Sequence, residues 1–282
     1  MFQYAAAYSL AIRKGLQLKL DLSAFTNYKL HNGFELYRVF NCHRDIAKYE
    51  DMHNLLGWQA RPQLRNLLSR YNLMGLRSKK LALEPSFSYW TGIEKLSDNC
   101  YLAGYWQSEK YFSDANTQIR KEFTFRQPLN KINTEVASLI SQVKGVSLHV
   151  RRGDYASNTR NTSTHGLCSI DYYHKAIQHI VTNVPSAHIF VFSDDIPWVK
   201  KNLKLELPSH YVDHNRGIDS FNDMRLMSMC KHHIIANSSF SWWGAWLNPS
   251  LNKIVIAPKP WFDKKKLSDK DLFPKNWILY DK

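Results

Sequence analysis

At 282 residues, 44% hydrophobic and 13% aromatic, the chain holds apolar material for one large core or two ordinary ones, which excludes an intrinsically disordered protein. A formal charge of +14, from 38 Lys and Arg against 24 Asp and Glu, admits a solvated basic surface or an anionic partner: a small substrate, lipid headgroups or nucleic acid. Helix-turn-helix, zinc-finger and ribonucleoprotein motifs are all missing, so no nucleic-acid partner is expected. No apolar run reaches the roughly 18–20 residues of a membrane span. The apolar start from Met1 to Leu10 has neither a basic leader nor a small-residue cleavage site, so no signal peptide is expected. Peripheral contact with an anionic membrane is expected instead, through Lys79-Lys80, Lys200-Lys201 and Lys264 to Lys266. Cys42, Cys100, Cys168 and Cys230 form no Cys-x-x-Cys pair, and the histidines lack metal-ligand spacing. Reduced thiols, a cytoplasmic location and no bound metal follow as expectations.

In chain order, the Ala- and Leu-rich stretch from Tyr4 to Arg13 predicts a helix ended by Gly15, and Leu16 to Leu20 alternates as a strand. From about 25 to 140 the pattern is irregular and aromatic, with helices near 50–75 and 131–144. At 145 it becomes regular. Val146 to Val150 reads as a strand, Ile170 to Val184 as an amphipathic helix capped by Ser169, and His188 to Phe192 as an apolar strand. A short helix at Trp198 to Leu203, a strand at Tyr211-Val212, a helix from Asp219 to Lys231 and a strand from His233 to Ala236 follow. A helix over Ser239 to Leu247 and a last strand over Lys253 to Ala257 complete the series. The change of pattern divides the chain into 1–144 and 145–282. The second part has the alternation and fully apolar strands of a doubly wound parallel sheet.

Ligands of such sheets sit beyond the carboxyl ends of the strands, and polar clusters fall at those ends. After the first strand come Arg151 and Arg152. Adjacent residues of a strand face opposite ways, so one guanidinium is free to grip phosphate bidentately while the other pairs with a carboxylate such as Asp154. After the second come Ser193, Asp194 and Asp195, which suit a base or sugar edge, a divalent cation, or simply the turn before Ile196-Pro197. After the fourth, Asn237, Ser238 and Ser239 open a helix whose N-terminal amides and dipole favour an anion, with N-capping by Asn237 or Ser238 as the compatible plain reading. Trp243 and Trp246 are expected in the core. Asp269-Lys270-Asp271 resembles an Asp-x-Asp metal motif but is assigned to a solvated face.

The chain resembles the bacterial alpha-1,2-fucosyltransferases of glycosyltransferase family eleven. The likeness is carried by His149-x-Arg151-Arg152-x-Asp154-Tyr155, by Phe192-Ser193-Asp194-Asp195, by Asn237-Ser238-Ser239-Phe240-Ser241-Trp242-Trp243-Gly244-Ala245-Trp246-Leu247, and by Met1-Phe2-Gln3-Tyr4-Ala5. It implies a GT-B-like fold of two Rossmann-like domains facing a cleft, 1–144 on the acceptor side and 145–282 binding GDP-fucose. It also implies inverting, metal-independent transfer of fucose to the 2-OH of a terminal galactoside, with no cofactor. Arg151 would hold the diphosphate, and His149 and Asp154 would line the same pocket as candidate bases. Ser238, Ser239 and Phe240 would present donors to the phosphates. Arg152, Tyr155, Ser193, Asp194, Asp195, Asn237, Ser241 and Trp242 complete the implied donor site. Family members carry Gly-Gly-Leu-Gly-Asn-Gln immediately before Met-Phe-Gln, and this chain begins at that methionine. A first strand and a glycine loop facing the donor are therefore expected to be missing. Two other readings stay open: a different GDP-fucose transferase of alpha-1,6 or O-fucosyl type, and an inactive relative that binds GDP or polyanions.

Overall fold

The computed structural model describes residues 1–25, 32–68, 71–153, 163–264 and 267–282. Two compact units emerge, one of 1–126 with 270–273 and one of 127–269 with 274–282. In the first, α1 (Phe2–Lys14) buries Phe2, Tyr4, Ala5, Ala6 and Leu10 and ends at Gly15, whose φ of 64° is the left-handed conformation that glycine adopts without a Cβ clash. The strands β1 (Lys19–Leu20) and β2 (Asp45–Ile46) flank α2 (Leu36–Val39) and form one parallel pair. Beyond α3 (Tyr49–Leu56) and α4 (Pro62–Leu68), β3 (Leu81–Leu83) and β4 (Tyr101–Ala103) form another, and α5 (Asn116–Glu122) closes the unit. Among the described residues the first unit thus holds two separate parallel pairs. Strands of two or three residues, set between 3-10 turns, supply too few ladder bonds to join into one sheet.

The second unit is regular. Helix α6 (Lys131–Gln142) precedes β5 (Lys144–Val150), α7 (Ile170–Asn183), β6 (Ala187–Ser193), α8 (Ile196–Asn202) and β7 (Ser209–Val212). Then come α9 (Phe221–Met229), β8 (His232–Ile234), α10 (Ser239–Leu247), β9 (Val255–Lys259) and β10 (Ile278–Asp281). Ser169 caps α7, accepting a hydrogen bond from the Tyr172 amide at 3.1 Å, as its position predicts. The unforeseen element is β10, whose short alternating segment beside Trp277 has no helix before it to mark a crossover.

All six strands are parallel, in the order β10-β9-β8-β5-β6-β7. Read from the other edge, the chain winds outward from β5 through β6 to β7. It then returns to the far side of β5 and winds outward again through β8, β9 and β10. The direction reverses between β5 and β8, which makes their carboxyl ends the topological switch point. Both faces are covered. Val146, Leu148, Ile189 and Val191 pack under Tyr172, Ala176, Ile180 and Val199 of α7 and α8, while Phe190, Phe192 and Val212 pack under Val136, Ile140, Leu226 and Met227 of α6 and α9. One polar group is built into this core. Asn248 Nδ2 donates to His233 Nε2 at 2.8 Å, so His233 Nδ1 carries the proton toward Ser147 Oγ, 2.8 Å away. This ties β8 to β5 directly beneath the switch point, and burial holds the His233 ring neutral.

Helix α10 is buried from Ser241 to Trp246. Trp242, expected at the donor site, is instead wholly enclosed, with ring centroids 5.0 Å from Trp243, 6.3 Å from Trp246 and 5.4 Å from Trp277. A side chain four positions past the N-cap of an embedded helix faces the core rather than the helix mouth. We expect Trp242→Ala to lower unfolding free energy by about 3–5 kcal/mol in urea titrations. Unchanged stability with lost transfer would return Trp242 to the donor site.

Candidate active site

The strand β5 ends at Val150, so Arg151 and Arg152 leave the sheet at its carboxyl edge and do not alternate across it. Their partners come from the end of β6, the next strand. Arg151 Nη1 lies 2.9 Å from Asp194 Oδ2, and the Arg152 amide donates to Asp194 Oδ1 at 2.8 Å. One carboxylate thereby fixes both the guanidinium and the backbone that carries it. Arg152 takes a different neighbour: its Nε is 3.6 Å from Asp195 Oδ2, an ion pair too long for a hydrogen bond, and its guanidinium lies 3.9 Å from the centroid of Trp198. Trp198 was not foreseen. Its place four residues after Asp194, on the first turn of the helix that Asp195 caps, is the signal that would have found it.

Gly153 is required by this contact. A Cβ there would come within 2.6 Å of Asp194 Oδ2, so only glycine lets the loop pass the carboxylate. Asp195 caps α8 by accepting from the Trp198 amide at 3.1 Å, and Ser193 Oγ accepts from the Asp195 amide at 2.9 Å. The turn-forming reading of Ser193 and Asp195 and the arginine-holding role of the Asp pair therefore coexist. Asp154 and Tyr155 lie outside the described residues.

On the other side of the switch point, β8 leads into α10. Ser238 caps that helix, its Oγ accepting from the Phe240 amide at 3.4 Å, and Ser239 is exposed in the first turn. The Phe240 ring lies 5.9 Å from the imidazole of His149, bringing the ends of β5 and α10 together. Asn237 turns inward: its Nδ2 donates to the carbonyls of His165, Gly166 and Trp261 at 2.7, 3.2 and 3.3 Å. Ser241 also turns inward, its hydroxyl donating to the Ser238 carbonyl at 3.2 Å. Both therefore build the helix mouth from below.

His149 is 5% exposed, and its Nδ1 has no hydrogen-bond partner among the described residues. Burial, reinforced by the Arg151 charge and only partly offset by Asp194, brings its pKa down to about 3. The ring is neutral at physiological pH, suited to accepting or donating one hydrogen bond and far too weakly basic to hold a proton. A second, half-buried group belongs to the same edge of the sheet. Asp223, in the first turn of α9, accepts from Asn215 Nδ2 at 2.8 Å beyond the end of β7, and burial pushes its carboxyl up to about 7. Sequence reasoning passed over it because an Asp in a helix's first turn is ordinary capping chemistry.

The Asp-x-Asp segment is only partly solvated: Lys270 is exposed, Asp269 half-buried and Asp271 buried. Asp269 accepts from the Trp261 amide at 2.7 Å, and Asp271 accepts from the Tyr89 amide at 2.9 Å and pairs with Lys110. Backbone amides buried by Trp261 and Tyr89 need acceptors, and these carboxylates supply them. Among the described residues, no three His, Cys, Asp or Glu side chains converge as a metal site. No helix is long and apolar enough to cross a membrane.

The His149 ring gives a testable pH dependence. The unfolded imidazole takes a proton near 6.5 and the folded one only near 3, so the stability conferred by its neutral form is present above 6.5 and lost as pH falls toward 3. His149→Gln should lose less stability than the parent between pH 7 and 5, by about 2 kcal/mol. Equal acid sensitivity of the two proteins would show that the folded ring takes up its proton at an ordinary pH.

The glycosyl transferase family 11 model matches residues 50–281. The chain is 37% identical over 287 residues to the alpha-1,2-colitosyltransferase of Escherichia coli, covering all of this chain and 95% of that one. It is 36% identical over 292 residues to the O-antigen biosynthesis glycosyltransferase WbnK of Escherichia coli, covering 95% and 94%. With the galactoside 2-alpha-L-fucosyltransferase of Caenorhabditis elegans it shares 25% identity over 187 residues, 61% of this chain and 50% of the other. A doubly wound sheet with two arginines and a serine-capped helix N-terminus at its switch point is therefore set in a chain that belongs to glycosyltransferase family 11, the family of the alpha-1,2-fucosyltransferases, and is a glycosyltransferase.

Proposed function

We propose that the protein transfers L-fucose from GDP-beta-L-fucose to the 2-OH of a terminal galactoside, with inversion and without a metal. In this reading the fold is GT-B-like, the second unit binds the donor and the first contributes the acceptor side. The observation that carries it is the Asp194–Arg151 pair, 2.9 Å long, at the switch point beside the N-terminus of α10. Departure of GDP adds negative charge to the diphosphate while the sugar turns cation-like. A guanidinium already fixed in place, with the amides of Ser239 and Phe240, stabilises that charge without reorganising. Arg152 stands beside this pair, and the neutral His149 offers its Nδ1 to the nucleotide. A ring of such low basicity makes a poor general base, so we assign the acceptor proton to the carboxylate of Asp154. Free Cys42, Cys100, Cys168 and Cys230 fit a reducing, cytoplasmic setting.

Removing the buried partner of an ionic contact costs roughly 3–5 kcal/mol, a factor of about a hundred to several thousand in rate. Arg151→Ala should cut transfer by that factor and leave circular dichroism unchanged. Arg151→Lys, which keeps the charge but loses the fork, should fall in between. Near-full transfer by Arg151→Ala would remove this side chain from the mechanism.

The full-length likeness to a colitosyltransferase favours a second reading, in which the donor sugar is the GDP-activated dideoxy sugar colitose. Incubating a panel of galactosides with GDP-fucose and with GDP-colitose, with and without chelator, and then determining product linkage, decides between them. The fucose reading predicts a 2-linked fucosyl product that survives chelation. Product from GDP-colitose alone would establish the second reading, and a 6-linked or peptide-linked fucose would overturn both. Calorimetric GDP binding without product from either donor would leave a nucleotide-binding role only.

A further inference from the structure

The first unit carries a surface that the transfer reaction does not account for. Residues 57–80 contain six Lys or Arg and no Asp or Glu. The same segment exposes large apolar side chains: Trp58 is 57% exposed, Leu76 62% and Leu67 42%. They are held together. Gln59, next to Trp58, donates from Nε2 to the Leu76 carbonyl at 3.0 Å and accepts from the Ser78 amide at 2.9 Å. Arg77 Nε donates to the Leu68 carbonyl at 2.6 Å, joining the Leu76 segment to the end of α4. The inner side of the same elements is a genuine core, in which Met52, Leu56, Ala60 and Leu81 pack together. Trp58, Leu67 and Leu76 are therefore turned outward from a built scaffold.

The charges sort in the same way. Arg65 points inward, 3.0 Å from Asp21 and stacked over Tyr101. Arg61, Lys79 and Lys80 are exposed, and none forms an ion pair among the described residues. Outward apolar side chains in a segment that carries exposed cations and no acidic residue are complementary to one kind of surface, an anionic bilayer. Trp and Leu enter the boundary between headgroups and acyl chains, and Lys and Arg stay at the headgroups. A second copy of the chain would bring these same cations face to face, and leucines offer nothing to a nucleic-acid phosphate.

We propose that the surface formed by Trp58, Leu67 and Leu76, with Arg61, Lys79 and Lys80, docks the enzyme on anionic lipid. The proposal does not depend on which sugar is transferred. It narrows the basic clusters named from sequence to one, since Lys200-Lys201 lies on the second unit with no exposed apolar cluster beside it, and Lys265 and Lys266 fall outside the described residues.

Co-sedimentation of the full chain with phosphatidylcholine vesicles, with and without phosphatidylglycerol, tests it at low and high salt. Binding should require the anionic lipid and weaken with salt. Each basic residue near an anionic surface is worth about fivefold in partitioning, so Lys79→Glu with Lys80→Glu should reduce binding about 25-fold or more. Trp58→Ser with Leu76→Ser should also release the protein, while Lys200→Glu with Lys201→Glu should have much the smaller effect. All these side chains are solvent-facing, so circular dichroism should match the parent. No binding to anionic vesicles, or equal loss in the Lys200/Lys201 variant, would overturn the proposal. So would a dimer in sedimentation velocity that Trp58→Ser dissolves, or lost turnover of a soluble acceptor by Trp58→Ser without vesicles. These would point to a second copy and to an acceptor glycan, respectively.

Discussion

The rest of the site depends on one contact, the Asp194 carboxylate that holds the Arg151 guanidinium at the end of β5. One carboxylate oxygen takes the side chain of Arg151 and the other takes the amide of Arg152. The pair is partly exposed, so its contribution to stability is discounted by solvent, and its value lies in orientation. The geometry is specific enough to dictate a glycine at position 153, because any Cβ there would strike the carboxylate. The end of β5, the loop after it and the helix capped by Asp195 all serve this contact.

The second half of the site is positioned by burial. The N-terminus of α10 is fixed because the helix behind it is packed with tryptophan, and because Asn237 ties its approach to three carbonyls from two other loops. The strand that feeds it is locked to β5 by the His233 relay between Ser147 and Asn248. A helix mouth fixed in this way can present its amides to an anion at little reorganisation cost. The unpartnered Nδ1 of His149 completes the picture: a buried polar atom left unsatisfied is costly, and it lies where a bound nucleotide could relieve the cost.

The two units solve the burial problem in different ways. In the second, a six-stranded sheet is covered on both faces and leaves its chemistry at one edge. In the first, short parallel pairs and 3-10 turns make small cores such as that of Met52, Leu56, Ala60 and Leu81, and the outer faces of the same elements keep large apolar and basic side chains in solvent. A unit built this way has more surface per buried residue, which suits it to contact with something other than its own core.

The elements of the second unit could be read from the chain because each carries its own local signal. Fully apolar strands, Ser169 before an amphipathic helix and the Asn-Ser-Ser opening of α10 are all set by nearest-neighbour physics. The first unit was hard to read because its strands span two or three residues, below the length at which period-two alternation is visible. Local sequence likewise brought Arg151, Asp194 and Ser238 to the ends of strands. It left open which strands are neighbours, and that decides which groups meet. Only the tertiary fold, by pairing β5 with β6, set Arg151 against Asp194, and by reversing its winding between β5 and β8 set His149 beside Phe240. Only burial, a property of the assembled core, moved Trp242, Asn237 and Ser241 inward and stripped His149 of its basicity.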